Sequence, residues 1–275
     1  MLSLFSNLLE GKIMASFAHE PSTRTRFSFE VAMLKLGGDY VGTESAGKSS
    51  SIAKGESLED TIRILNYYVD VIVLRHPEQG AAKRAAGVSK VPLINGGDGP
   101  GEHPTQALLD FYTINDKLGR IDNLSIAMVG DLKYGRTVRS LSKLSGNLDN
   151  INLYLVAPDV CKMKKDILDY LDNHDVQWQE ETDLNKVLPK VDIVYMTRIQ
   201  KERFDNNDEY NKAKGKYMID KKNIDLIPKK SILMHPLPRV DEISLDVDND
   251  PRAIYFEQAK NGLYVRMALL KMLLT

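Results

Sequence analysis

One cysteine, Cys161, is all the thiol chemistry that this chain possesses. An internal disulfide framework and a cysteine-rich zinc module are therefore excluded, and a reducing compartment such as the cytoplasm suits the chain. Neither sign of charge prevails: Lys plus Arg is 37 against 38 for Asp plus Glu, a net charge of -1. No overall field exists to attract nucleic acid or an anionic membrane, so any positive site must be local. No apolar run approaches transmembrane length. The opening "MLSLFSNLLEGK" lacks a basic n-region and a small-residue cleavage site, and reads as part of a first helix and not as a signal peptide. Internal repeats and low-complexity tracts are also missing.

What is present, over 275 residues, is enough chain for one large domain or two moderate ones. Short β-rich apolar runs alternate with amphipathic helical stretches, the pattern of parallel sheets covered by helices. Strands are predicted over 12–18, 39–43, 69–74 and 91–94, then over 125–130, 151–157, 176–179, 192–197 and 231–234. A helix from Thr105 to about Lys117 separates the two sets and runs into the polar connection "LGRIDNL". The last stretch, Ala253 to Thr275, is helical again. The fold class expected is therefore α/β, with parallel sheets covered by helices and a hinge between two domains at the polar connection.

Polar and glycine-rich segments follow the strands: "RHPEQG", "NGGDGPGEHPTQ", "GDLKYGR", "TRIQ" and "HPLPR". Open parallel sheets bind ligands at the carboxyl ends of their strands, so these segments should line the cleft between the two sheets.

"HEPSTRTRFSFEVAMLKLGG", residues 19–38, poses a specific problem. Phe27, Val31 and Leu34 recur at helical spacing and Gly37-Gly38 closes the segment, so a helix should begin close to Ser22. Arg24 and Arg26 then sit in its first turn, where the macrodipole already places partial positive charge. A bound oxyanion resolves the conflict, with hydroxyls from Ser22, Thr23 and Thr25 and the first-turn amides as further donors; phosphate fits best. The plainer reading is a capped helix with solvated arginines.

Arg75 follows "VDVIVL", which should be a buried central strand, and is thereby delivered to the strand's functional end. His103 and Gln106 open a helix at Pro104, after a glycine-rich run that lets backbone approach a ligand closely. His103 could polarise a carbonyl, act as a general base, or be a structural cap. Arg136 begins another helix, and Arg198 and Gln200 follow another strand. Two arginines converging on a cleft suit a dicarboxylate, the alternative being pairing with Asp131, Glu202 or Glu20. His76, His103 and His235 each precede proline, yet no metal-ligand spacing appears and no metal is expected.

"GTESAGKS", Gly42 to Ser49, matches the P-loop pattern and would make the chain a nucleotide-binding protein. A P-loop needs its helix to start at the lysine, whereas here the next helix starts at Ser57 with a capping box. A segment bearing Ser50 and Lys54 remains, long enough to reach beyond its own domain.

Taken in order, "EPSTRTRFSFE", "KGESLEDTI", "VLRHPEQGAA", "HPTQALLD", "VGDLKYGRTVRSL", "MTRIQKERF" and "MHPLPRVDEI" resemble the catalytic chains of aspartate carbamoyltransferases. That resemblance implies two doubly wound parallel-sheet domains, a carbamoyl-phosphate-binding domain over 1–119 completed by the helix 253–275 and an aspartate-binding domain over 120–252, in a cytoplasmic homotrimer with active sites shared between subunits. It implies transfer of the carbamoyl group from carbamoyl phosphate to the amine of L-aspartate, an early step of de novo pyrimidine biosynthesis. Ser22, Thr23, Arg24 and Thr25 would bind the phosphate and Arg75 would bridge to it. Thr25, Arg75 and His103 would meet the carbonyl oxygen. Gln106 and the backbone around Pro236 and Leu237 would hold the carbamoyl amino group, and Arg136, Arg198 and Gln200 the aspartate carboxylates. Ser50 and Lys54 would come from the neighbouring subunit.

No cofactor and no catalytic metal is implied. A regulatory chain is allowed as a further partner. Ornithine carbamoyltransferases share the phosphate motif but resemble "HCLP" where this chain has "HPLPR", and Arg198 would repel a cationic acceptor. Ala18 and His19 depart from the family, which usually has an aromatic residue followed by an acidic or aromatic one.

Overall fold

The computed structural model describes residues 7–44, 55–204 and 206–275. It divides into two compact units, Met1–Leu109 with Lys260–Thr275, and Asp110–Ala259.

In the first unit, β1 (Ile13–Ala18), α1 (Thr23–Lys35), β2 (Asp39–Thr43), α2 (Leu58–Leu65), β3 (Val71–His76), α3 (Ala81–Ala86) and β4 (Leu93–Asp98) precede α4 (Pro104–Leu118). The four strands are parallel, in the order β2-β1-β3-β4. Successive side chains of β3 go to opposite cores. Val71 and Val73 pack with Met14, Phe29, Met33 and Leu270, whereas Ile72 and Leu74 pack with Phe17, Ile62 and Ala81. Burial on both faces is why "VIVL" is an unbroken apolar run.

The second unit holds β5 (Leu124–Val129), α5 (Arg136–Ser145), β6 (Ile151–Val156), α6 (Lys165–Asp172), β7 (Gln177–Glu181), α7 (Leu184–Val187), β8 (Ile193–Met196), α8 (Asn207–Ala213), β9 (Ile232–Met234) and the start of α9 (Tyr255–Leu274). Its five parallel strands run β7-β6-β5-β8-β9. Ile126, Met128, Ile193 and Tyr195 face one core, and Ala127, Val129, Val194 and Met196 the other. Both units are thus parallel α/β sheets with two buried faces, as the alternating runs predict. Each predicted strand is found, with boundaries displaced by a few residues at most.

Two local expectations are corrected. Residues 7–11 form a turn and not part of a helix: Gly11 has φ 78°, and Leu9, buried, donates from its N–H to Leu36 O at 2.8 Å. That ties the segment to the end of α1. Helix α1 starts where expected, yet the stripe that announced it faces outward. Phe27, Val31 and Leu34 are 52%, 39% and 51% exposed, while Phe29, Ala32, Met33 and Leu36 form the buried face. Apolar residues lie on both sides of α1, and the packed side is the one facing β1, β3 and α9.

Candidate active site

In each sheet the strand order reverses at one place, between β1 and β3 in the first unit and between β5 and β8 in the second. Chain leaving the carboxyl ends of adjacent strands parts there and opens a crevice. Ser22 to Thr25 follow β1 and Arg75 lies at the end of β3, at the first of these points, and Arg136, Arg198 and Gln200 follow the strands at the second; His103 and Gln106 follow β4, and Pro236 and Leu237 follow β9.

In the first unit β1 delivers the chain to the start of α1. Ser22 occupies the N-cap position with extended backbone, but its hydroxyl makes no capping bond, and no acidic residue lies in the first turn. The first-turn amides and hydroxyls therefore keep donor capacity in the field of the helix N-terminus. Thr25 is buried and Arg24 exposed. Among the described residues Arg24 has no ion-pair partner. Arg26 does: its Nε lies 2.8 Å from Glu30 Oε1 and its Nη1 2.9 Å from Glu44 Oε2. The two arginines thus differ: Arg26 is held in ion pairs, and Arg24 lies exposed at the start of the helix. The i, i+4 spacing of Arg26 and Glu30 was the sequence signal for this.

Arg75 stands in register with Ala18 of β1, which places it at the same edge. Its guanidinium donates to Gly96 O at 3.0 Å and lies 2.7 Å from Glu20 Oε1. Glu20, considered above as a partner for the arginines of the second half, is thus engaged with Arg75. Gly96 is closely packed: a Cβ there would sit 3.2 Å from Leu74 O, a tight contact, and 3.6 Å from Thr25 Cγ2, an ordinary one. The same contact brings Thr25 close to the strand end that carries Arg75. The glycine-rich loop after β4 is organised by buried Asp98, whose carboxylate accepts from Gly80 N at 2.9 Å and Glu102 N at 2.8 Å. No motif pointed to that role.

His103 is buried, and its carbonyl accepts from Gln106 N at 3.0 Å and Ala107 N at 3.3 Å. It therefore caps α4 through its backbone and presents an imidazole as well, with Nδ1 3.5 Å from Thr105 Oγ1. Pro104 opens the helix, as expected. Beside Arg75, the His19 ring lies 4.4 Å from that of His76 and 4.7 Å from that of Phe17. Burial, and then the neighbouring His76, pull the pKa of His19 down to about 4.

In the second unit Val129 pairs with Met196, so the "GDLKYGR" and "TRIQ" segments emerge side by side. They are stitched together at Thr197, whose Oγ1 accepts from Asp131 N at 3.1 Å and donates to Val129 O at 2.9 Å. Gly130, at φ 111°, approaches Thr197 so closely that a Cβ would collide with its carbonyl. Asp131 is fully buried and accepts from Tyr134 N at 2.9 Å. Burial pushes its carboxyl pKa up, while hydrogen bonds from Tyr134 and Gln200 pull the other way. Arg136 is the first residue of α5, with no acid in that turn, and repeats the arrangement of Arg24 in α1. Arg198 pairs with Glu202, with Nη1 to Oε2 at 3.2 Å, the partner anticipated as the alternative. Gln200 follows on the same segment. Pro236 and Leu237 come after β9, which lies next to β8. Arg239 of "HPLPR" is held by Asp248, with Nη2 to Oδ2 at 2.6 Å.

Ser50 and Lys54 lie outside the described residues, as does the lysine of the P-loop-like stretch; Gly42 is in β2. Among the described residues, the first helix beyond that stretch starts at Leu58, capped by Ser57 Oγ accepting from Asp60 N at 3.1 Å, so the turn expected at Ser57 is present. Among the described residues no group of three or more His, Cys, Asp or Glu side chains could hold a metal ion.

Comparison with known proteins assigns both halves. The family profile described as aspartate/ornithine carbamoyltransferase, carbamoyl-P binding domain, matches residues 3–116. That described as aspartate/ornithine carbamoyltransferase, Asp/Orn binding domain, matches residues 122–273. The chain is 58% identical over 270 residues to a chloroplastic aspartate carbamoyltransferase of Oryza sativa subsp. japonica, covering 98% of this chain and 74% of the relative. It is 53% identical over 267 residues to the aspartate carbamoyltransferase catalytic subunit of Methanocaldococcus jannaschii, covering 97% and 86%. Among solved structures, aspartate transcarbamoylase from Trypanosoma cruzi in complex with carbamoyl phosphate and aspartate superposes with a TM-score of 0.92, at 45% identity, covering 98% of this chain and 86% of that one.

Proposed function

Because this chain belongs to the aspartate/ornithine carbamoyltransferase family, we propose that its two half-sites carry out one reaction. The carbamoyl group of carbamoyl phosphate passes to the amine of L-aspartate, giving N-carbamoyl-L-aspartate and phosphate, an early step of pyrimidine synthesis. The observation that carries this reading is that each unit sets an arginine in a helix first turn devoid of acids at the switch point of its sheet, Arg24 in one and Arg136 in the other. A cation in that position opposes the macrodipole, and an anionic substrate compensates it.

The carbamoyl-phosphate domain is taken as residues 1–119 with the helix 253–275, a span that contains the whole of the first compact unit. Ser22, Thr23, Arg24 and Thr25 take the phosphate. Arg75 bridges phosphate and carbonyl oxygen, and it exchanges Glu20 for the substrate. Thr25, Arg75 and His103 meet the oxyanion as the amine adds to the carbonyl carbon. Gln106, with the backbone of Pro236 and Leu237, holds the carbamoyl amino group.

The aspartate domain, taken as residues 120–252 within the second compact unit, binds aspartate through Arg136, Arg198 and Gln200. The new C–N bond forms, the C–O bond to phosphate breaks, and the departing phosphate takes the amine proton. Every residue named acts by orientation and charge stabilisation, and no protein nucleophile enters.

The assembly is a homotrimer in which Ser50 and Lys54 of one subunit complete the site of the next. The outward stripe of Phe27, Val31 and Leu34 on α1 supports an interface there, together with Val41, 54% exposed on the edge strand β2. Exposed apolar surface of that extent is what a subunit contact covers. The cytoplasmic location rests on the single, buried, free Cys161; among the described residues no helix is long and apolar enough to cross a membrane.

Turnover of carbamoyl phosphate with a panel of amino acids tests the reading. Aspartate should exceed every other acceptor, ornithine included. Faster turnover with ornithine would remove aspartate as the substrate.

A further inference from the structure

The loop after β9 is wrapped around a buried pair, His235 and Glu242, 2% and 5% exposed. His235 Nε2 lies 2.7 Å from Glu242 Oε1. On the other side of the ring, Nδ1 lies 2.7 Å from Leu237 N. A backbone N–H can only donate, so Nδ1 must be the acceptor and Nε2 must carry the proton. Glu242 receives it, and its other oxygen accepts from Val240 N at 3.2 Å and Asp241 N at 3.1 Å. Three donors therefore converge on one carboxylate. The pair is anchored beneath: His235 N donates to Gln258 Oε1 at 2.8 Å, Gln258 Nε2 to Asp110 Oδ1 at 2.7 Å, and Tyr195 OH to Asp110 Oδ2 at 2.8 Å. Leu237 itself is held at φ 55°, a left-handed conformation unfavourable for a branched apolar side chain. Such a backbone persists when its surroundings over-determine it.

We propose that His235 and Glu242 are positioning residues for carbamoyl transfer, a tautomer lock that fixes the backbone of Pro236 and Leu237 on which the carbamoyl amino group is held. The proposal rests on the reaction assigned above. It makes a specific demand: the partner of His235 must be an acceptor at both of its ends. Glutamine cannot meet it. With its oxygen towards Val240 and Asp241, its NH2 faces Nε2 and drives the imidazole proton to Nδ1, against the Leu237 N–H. With the amide reversed, the NH2 faces two N–H groups.

Steady-state kinetics of Glu242→Gln in the full-length protein, with melting temperature and assembly mass measured alongside, test this. Displacing a reacting group by about 1 Å costs about 100-fold; a kcat reduced by about 10- to 100-fold is therefore expected, with both KM values changing less than kcat. His235→Asn, whose Oδ1 takes the place of Nδ1 as acceptor for the Leu237 N–H, should retain more kcat than His235→Gln, whose carboxamide lies one carbon further out, at the place of Nε2. Wild-type kcat in Glu242→Gln, or a loss accounted for entirely by the fraction of unfolded protein, overturns the proposal. Should the variants fail to fold, selective 15N-histidine spectra of the wild-type protein decide. Protonation of His235 at Nε2 is required, and at Nδ1 contradicts it. Failure of the wild-type protein to turn over carbamoyl phosphate with aspartate would instead bring down the underlying reaction assignment.

Discussion

Arg26 Nε lies 2.8 Å from Glu30 Oε1, one turn along the same helix, and this pairing separates two arginines that the sequence presents as equivalents. Arg24→Ala should lower kcat by about 100- to 1000-fold, the usual consequence of removing a preorganised donor from an oxyanion site, with little change in stability. Arg26→Ala should do the reverse. It strands Glu30, which is 3% exposed, at a cost of about 1–3 kcal/mol. Parallel kinetic and denaturation measurements on the two variants check both halves; equal losses of activity would contradict the division of roles.

His19 predicts an acid-sensitive stability. Its pKa falls from the ordinary 6.5 to about 4 in the folded chain, through burial and then His76. Between those values the unfolded chain binds a proton that the folded chain refuses, so stability rises with pH across this window and is lost on acidification. Above pH 6.5 the histidine contributes no pH dependence. Urea denaturation of wild type and His19→Phe between pH 4 and 7 should show a steeper acid decline for wild type; superimposable slopes would exclude the effect.

The central strands were legible because both of their faces are buried, which makes runs such as "VIVL" and "IAMV" apolar throughout. Helix α1 shows where that ends. Its existence follows from spacing, but Phe27, Val31 and Leu34 compete with Phe29, Ala32, Met33 and Leu36 as candidate core faces, and only packing against β1, β3 and α9 decides between them. The site residues stood out by type and by position after strands. A partner close in sequence, Glu202 for Arg198, could be anticipated, whereas the contact of Arg75 with Glu20 could not, because it depends on two strand ends being neighbours. Asp98 gave no signal at all, since organising a loop requires no motif.

Arg198 shares its guanidinium with Glu202. If the aspartate carboxylate competes for that guanidinium, Arg198→Ala should raise the KM for aspartate by about 10- to 100-fold, the equivalent of about 1.5–3 kcal/mol for a hydrogen bond to a charged group. The KM for carbamoyl phosphate should stay unchanged. Glu202→Gln should lower the KM for aspartate by weakening the competitor; a higher value would show that Glu202 supports Arg198.

A composite site predicts complementation between subunits. Arg24→Ala and Lys54→Ala chains, each inactive alone, should recover activity when dissociated, mixed and reassembled, since some interfaces then receive both intact residues. Verified subunit exchange without recovered turnover would place Lys54 in its own subunit's site or outside the reaction.

The central claim is that the start of α1 is an anion site completed by Arg75. A crystal structure of the chain with a phosphonate mimic of both substrates joined tests it most directly. Phosphonate oxygens are expected on the first-turn amides, the Thr25 hydroxyl and the guanidinium groups of Arg24 and Arg75, with Glu20 released from Arg75. A phosphonate bound elsewhere, with Arg24 directed into solvent and the Glu20 pair intact, would contradict it.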